Sequence, residues 1–235
     1  VTMYPTEESD PFCLSAASAT RLLAGAPWRR FASMGDSLAA GTGDPTPGYA
    51  NLGWPDRLAD MLRRARPDLA YLNAAKIGAT TTKTLENQVG QVLEFGPDLI
   101  HISCGANDIW QPDPDLVEIG RNLRRIFARA AETGAQLTTF TLGAAFVVPR
   151  FPDWHDRVRA LNDITRELAA THAAVLVDMW SHPVNSRPNL LSTDRVHFST
   201  SGQAVMASEL VKGLAGVLGT RSVTSDRASE RCGKA

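Results

Sequence analysis

Five short apolar runs, each followed by a stretch of helical periodicity, constrain this chain more than any other feature. The runs are Phe31–Met34, Leu69–Leu72, Asp98–Ser103, Ala135–Leu142 and Ala174–Met179. Between them, apolar residues recur at three- and four-residue spacing: Leu58, Met61 and Leu62 after Pro55, then Leu85, Val89 and Val92 after the Thr80–Thr82 cluster. Leu116, Ile119, Leu123, Ile126 and Phe127 repeat the pattern up to about Glu132. Such alternation reads as strand, helix, strand. Strands joined through helices pair in parallel, by right-handed crossovers, and need helices on both faces. The expected fold class is therefore α/β with a five-stranded parallel sheet. A leading helix over about 12–24 and a last one from about Thr200 to Val217 complete the pattern. No repeat or linker divides the chain, so 1–219 reads as one domain, and the small polar residues of 220–235 as a disordered tail. A chain of 235 residues buries a sizeable core without staples.

In sheets of this kind ligands bind beyond the carboxyl ends of the strands. Four loops at those ends carry chemistry. The first strand stops at Gly35-Asp36-Ser37, with Ser37 near the start of a helical turn whose N–H groups are unsatisfied. The second is followed by Gly78, the third by Gly105-Ala106-Asn107-Asp108, and the fifth by Asp194-Arg195-Val196-His197. Together they could perform acyl transfer. A serine hydroxyl is a weak nucleophile until a base takes its proton, and His197 is the candidate base. Asp194, three residues earlier, can fix its tautomer and stabilise the imidazolium. The Ser37 N–H, the Gly78 N–H and the Asn107 amide are candidate donors to an oxyanion. Singly, each has an ordinary reading: Ser37 as a helix cap, Gly78 as a turn glycine, Asn107-Asp108 as turn chemistry, Asp194 and His197 as surface residues. Their occurrence in order at successive strand ends favours the joint reading.

These four blocks, spread from about Phe31 to Ala207, resemble those of the SGNH (GDSL-type) esterase and lipase family. The resemblance implies a flavodoxin-like three-layer α/β/α domain, Ser37 as nucleophile, His197 as base, Asp194 as its carboxylate, and Gly78 and Asn107 as oxyanion donors. It implies a small-molecule ester as substrate, with a short to medium acyl or acetyl group carried on Ser37 as an acyl-enzyme. Asp36 and Asp108 also match and are expected to hold loops through hydrogen bonds. The Gly-x-Ser-x-Gly elbow of the larger α/β-hydrolases is absent. Two alternatives stay open: an acyltransferase using the same residues with an alcohol or amine acceptor, and a catalytically silent binding module. Trp110, Phe146, Arg150 and Arg195 are further candidates for contacting substrate, with the apolar loop Gly143–Trp154 shaping an acyl pocket or acting as a lid.

Other function classes find little support. Lys and Arg number 24 against 25 Asp and Glu, for a formal charge of -1, so no basic field suggests nucleic acid. Gly41-Thr42-Gly43 has no lysine after it, and no dinucleotide fingerprint appears. The three cysteines, Cys13, Cys104 and Cys232, have neither disulfide nor zinc spacing, so no metal and no cofactor is expected. His101 alternates into an apolar strand and reads as a core histidine. His155, His172 and His182 read as helix or loop surface. Glu7, Glu8 and Asp10 stand where a signal peptide would be basic, and no run reaches membrane-spanning length. The expectation is a cytoplasmic protein.

Overall fold

The computed structural model describes residues 5–232, with side chains described as far as Thr220. In chain order the elements are α1 (Ala16–Leu22), β1 (Arg30–Gly35), α2 (Ser37–Ala40), α3 (Trp54–Ala65), β2 (Ala70–Asn73), α4 (Thr81–Asn87), α5 (Val89–Phe95) and β3 (Leu99–Ser103). Then follow α6 (Ala106–Ile109), α7 (Leu116–Ala131), β4 (Gln136–Phe140), α8 (Trp154–Thr171), β5 (Val175–Val177), a 3₁₀ turn (Pro183–Ser186) and α9 (Thr200–Cys232). The strands form one parallel sheet in the order β2-β1-β3-β4-β5. Helices α1, α3 and α9 pack together on one face, and α5, α7 and α8 cover the other. This is the three-layer α/β/α arrangement expected from the alternation.

Winding runs from β1 outward to β2, then reverses to β3, so the switch point lies between the central pair. Ligand crevices open at such points. β1 and β3 are covered on both faces, which explains why both read as continuous apolar runs and not as alternating ones. Besides Ser33 and Ser103, the buried polar residue of these strands is His101, enclosed between Trp54 and Phe140, with its Nδ1 2.9 Å from the Thr138 hydroxyl. Burial pushes its pKa down to about 3, so it is the neutral core histidine anticipated from its position.

Local chemistry moves two boundaries. The first helix begins at Ala16, not near residue 12, because Ser15 caps it and the preceding turn is held by the Asp10 carboxylate on the Phe12 N–H. The helix expected through Leu85 and Val92 breaks at Gln88, whose side chain turns inward to bond both the N–H and the carbonyl of Gly35, at 2.7 and 2.9 Å. α9 continues past Val217; of the tail expected to be disordered, residues 233–235 lie outside the described residues, as do the side chains from 221 onward.

Candidate active site

Ser37 is placed by contacts at the central strand pair. Gly35 and Ser103 end β1 and β3 side by side, and a Cβ on Gly35 would stand 1.7 Å from the Ser103 carbonyl oxygen. With its φ of +137°, only glycine fits there. The chain then turns sharply, and Asp36 caps α2 by accepting from the Leu38 N–H at 2.9 Å. Asp36 therefore takes the capping role that Ser37 could have held, and Ser37 becomes the first helical residue with its hydroxyl free for another partner.

That partner is His197. Its Nε2 lies 2.7 Å from Ser37 Oγ, and its Nδ1 lies 2.7 Å from Asp194 Oδ2. Asp194 Oδ1 accepts from the N–H groups of Val196 and His197, at 2.9 and 3.1 Å, which folds this turn tightly enough for a carboxylate and a ring three residues apart to meet. Burial raises the Asp194 carboxyl, but the hydrogen bonds from the His197 ring and the Val196 N–H outweigh it and hold it below the usual carboxylate range. Arg195 takes a left-handed conformation, φ +59°, inside the turn. Asp44, from the loop after α2, accepts from the N–H and hydroxyl of Thr193 at 2.9 and 2.6 Å. Gln203 adds a second tie, donating to the carbonyls of Thr42 and Phe198.

Beside Ser37 opens a cleft of about 370 Å³. Ser37, Gly78, Asn107 and His197 all line it. Among the described residues, nothing accepts a hydrogen bond from the N–H of Ser37 or of Gly78. Gly78 has φ +74°, a conformation that favours glycine, with open space on the side where a Cβ would be. The Asn107 amide donates one hydrogen to the Ala79 carbonyl at 3.0 Å, which leaves its second N–H available. Asp108 accepts from the Thr81 N–H and hydroxyl and so fastens α6 to the start of α4.

The remaining candidates divide. Trp110 lines the cleft, backed edge-on by Trp154 with ring centres 5.7 Å apart. Phe146 does not: it is buried against Phe198, at 5.0 Å between ring centres. Arg150 lies exposed over the Phe151 ring, and Arg195 faces a separate depression with Val147 and Pro188. No residue from 143–154 lines the cleft. Burial of Phe146, Val148 and Phe151 stabilises the fold by about 1.5–3 kcal/mol each, so these residues of the loop became core, while Ala145 and Val147 line the separate depression and not the cleft at Ser37. The sequence reading missed Ile77, Thr80, Lys83, Gln111 and Val196 in the lining. Their signal was only proximity to the four blocks. His182 is also less exposed than expected, since its ring packs by Phe12 and its Nδ1 accepts from the Val184 N–H.

A model of the GDSL-like lipase/acylhydrolase family matches residues 33–205, a span that includes all four loops. No curated protein matches the sequence significantly. Solved structures are similar in fold. An alpha/beta hydrolase from the metagenome of Lake Arreo, Spain, superposes with a TM-score of 0.65 at 22% identity, covering 81% of this chain and 95% of its own. A lipase/acylhydrolase from Enterococcus faecalis gives 0.64 at 23%, covering 80% and 96%. A catalytic mutant of an acetylxylan esterase from Geobacillus stearothermophilus gives 0.65 at 18%, covering 81% and 94%.

Proposed function

The chain belongs to the GDSL-like lipase/acylhydrolase family and is an ester-hydrolysing enzyme; from that premise we propose that it is a serine esterase acting through an acyl-enzyme on Ser37. The observation that carries the reading is the unbroken chain of two 2.7 Å contacts from Ser37 through His197 to Asp194 at the edge of an open cleft. Ser37 Oγ attacks the ester carbonyl carbon while His197 Nε2 takes the hydroxyl proton. Asp194 holds the Nδ1–H and stabilises the imidazolium. The carbonyl oxygen becomes an oxyanion that accepts from the N–H groups of Ser37 and Gly78 and from the Asn107 amide. Collapse breaks the bond to the alcohol, which leaves with the proton from His197. Water, deprotonated by the same ring, then attacks the acyl-enzyme, releases the acid and restores Ser37.

A cleft of about 370 Å³ with Leu38, Ile77 and Trp110 on its walls suits a short to medium acyl or acetyl ester. Transfer to another acceptor is less favoured: the apolar loop 143–154, a candidate lid that could have kept water out, sends Phe146, Val148 and Phe151 into the core and contributes nothing to the lining. A silent binding module would have no use for a hydroxyl held against an imidazole. Among the described residues no helix is long and apolar enough to cross a membrane. Incubation with p-nitrophenyl acetate and butyrate, beside Ser37→Ala, tests the proposal. The wild type should turn over both esters and be labelled stoichiometrically by a fluorophosphonate, whereas Ser37→Ala should do neither. Equal rates for the two proteins would remove Ser37 from the mechanism.

A further inference from the structure

One charged side chain of the cleft has no part in the acyl-transfer steps. Lys83 lines the cleft, which holds no aspartate or glutamate, and apart from His197 it is the one titratable cation of the lining. Among the described residues no carboxylate pairs with its ammonium group, although most other ion pairs of this protein join arginines to nearby acids. Its place in α4 is also unusual. Thr80 caps that helix through a hydrogen bond from the Lys83 N–H to its hydroxyl. Three residues after such a cap, stability favours a glutamate or glutamine, which would reach back and complete a capping box. The first turn in general favours acids and weakly disfavours cations. Lys83 therefore stands where helix chemistry alone would choose the opposite charge, facing a cleft with apolar walls at Leu38, Ile77, Trp110 and Val196. Lys83 is exposed at the rim, so its field reaches the cleft partly screened by solvent and acts on a charged group as it enters.

We propose that Lys83 makes this enzyme selective for esters that carry an anionic group near the scissile bond. The proposal rests on the esterase reading and deepens it by naming the substrate class. Thr80 and Gln111, also in the lining, add neutral hydrogen-bonding groups to the cleft.

Two matched pairs of esters test it. Phenyl hydrogen glutarate against phenyl pentanoate puts the anion on the acyl side; 4-acetoxybenzoate against its methyl ester puts it on the alcohol side. The readout is the ratio of kcat/KM, anionic over neutral, in the wild type, Lys83→Met, Lys83→Arg and Lys83→Glu. A ratio cancels any general loss of active protein. In at least one pair the wild type should favour the anionic member, relative to Lys83→Met, by about two- to fivefold, expressed in KM, the size of a solvent-screened ion pair. Lys83→Met should remove the preference, Lys83→Glu invert it and Lys83→Arg keep it. Added salt should weaken it in the wild type. The pair that responds identifies which side of the ester bears the charge. Equal ratios in the wild type and Lys83→Met for both pairs would make Lys83 a solvated surface lysine and overturn the proposal while leaving the esterase intact. If no neutral ester is hydrolysed either, the esterase reading fails, and the selectivity falls with it.

Discussion

Asp36 shows how much a single buried residue contributes to placing Ser37. It is 1% exposed, caps α2 through one oxygen, and has its other oxygen without a hydrogen-bond partner. Burial, opposed by the Leu38 N–H and reinforced by the nearby Asp108, pushes its pKa up to about 7. In the unfolded chain the same carboxyl ionises near 3.8. The folded state therefore holds a proton that the unfolded state has lost, and the resulting stability is full below the unfolded value and disappears as pH rises through about 7. Asp36→Asn keeps the capping oxygen and cannot ionise. Its melting temperature relative to wild type should rise between pH 4 and pH 8, read by thermal denaturation across that range. A constant difference would mean that Asp36 ionises as an ordinary surface aspartate. Asn107 can be tested at the same scale, through rate. Asn107→Ala removes the side-chain donor and should lower kcat on p-nitrophenyl butyrate by about 10²–10³-fold, with a much smaller change in KM. An equal rise in KM would assign the amide to substrate binding and not to the transition state.

At the scale of elements, strands and helices were readable because each answers to a local rule. An apolar run of strand length recurs five times, and the structure returns each strand with boundaries shifted by a residue or two, while the helical stripes return with larger changes such as the break at Gln88. The block residues were readable because their chemistry is unusual at a strand end. What escaped were ties between loops, which depend on partners far apart in sequence. Gln88 bonding Gly35 and Gln203 bonding Thr42 are lone polar residues beside apolar helix positions, a faint signal that names no partner. The apolar loop before α8 was not legible residue by residue because apolar side chains look alike whether they enter the core, as Phe146 does, or line a depression, as Val147 does. Asp44 belongs to the same class of missed tie. Its carboxyl is held below the usual range by the Thr193 hydroxyl, then by the Thr193 N–H, and the link joins the loop after Ser37 to the turn bearing Asp194 and His197. Asp44→Ala should let that turn drift from Ser37. The expected result is a kcat lower by about tenfold with the fold intact, since misplacement by about 1 Å can cost up to 10²-fold. Asp44→Asn, which still accepts from Thr193, should recover most of the rate. If both variants match the wild type, α9 alone positions the His197 turn.

Over the whole molecule, the N-terminal segment acts as a strap across the two loops that bring Ser37 and His197 together. Glu7 pairs with the buried Arg57 and accepts from the Ala50 N–H. Asp10, fully buried, receives both terminal nitrogens of Arg187, at 2.6 and 2.7 Å, and the Tyr49 hydroxyl at 2.8 Å. Tyr49 belongs to the loop after α2 and Arg187 to the loop leading into Asp194, so one carboxylate fastens both. Burial raises the Asp10 carboxyl, yet the hydrogen bond from Arg187 and those from the Phe12 N–H and Tyr49 leave it below its ordinary value. Its contribution to stability is thus present above the unfolded value near 3.8 and is lost as pH falls through the lower folded one. Removing one partner of such a pair is costly because the other remains buried and charged. Asp10→Ala should therefore lose about 3–5 kcal/mol in urea denaturation at pH 7. Asp10→Ala with Arg187→Met, which removes both charges, should recover a large part of that loss, because a buried pair gains little over apolar packing. If the double variant is as unstable as Asp10→Ala, the strap works through the hydrogen bonds of Tyr49 and Phe12, and the ion pair is incidental to it.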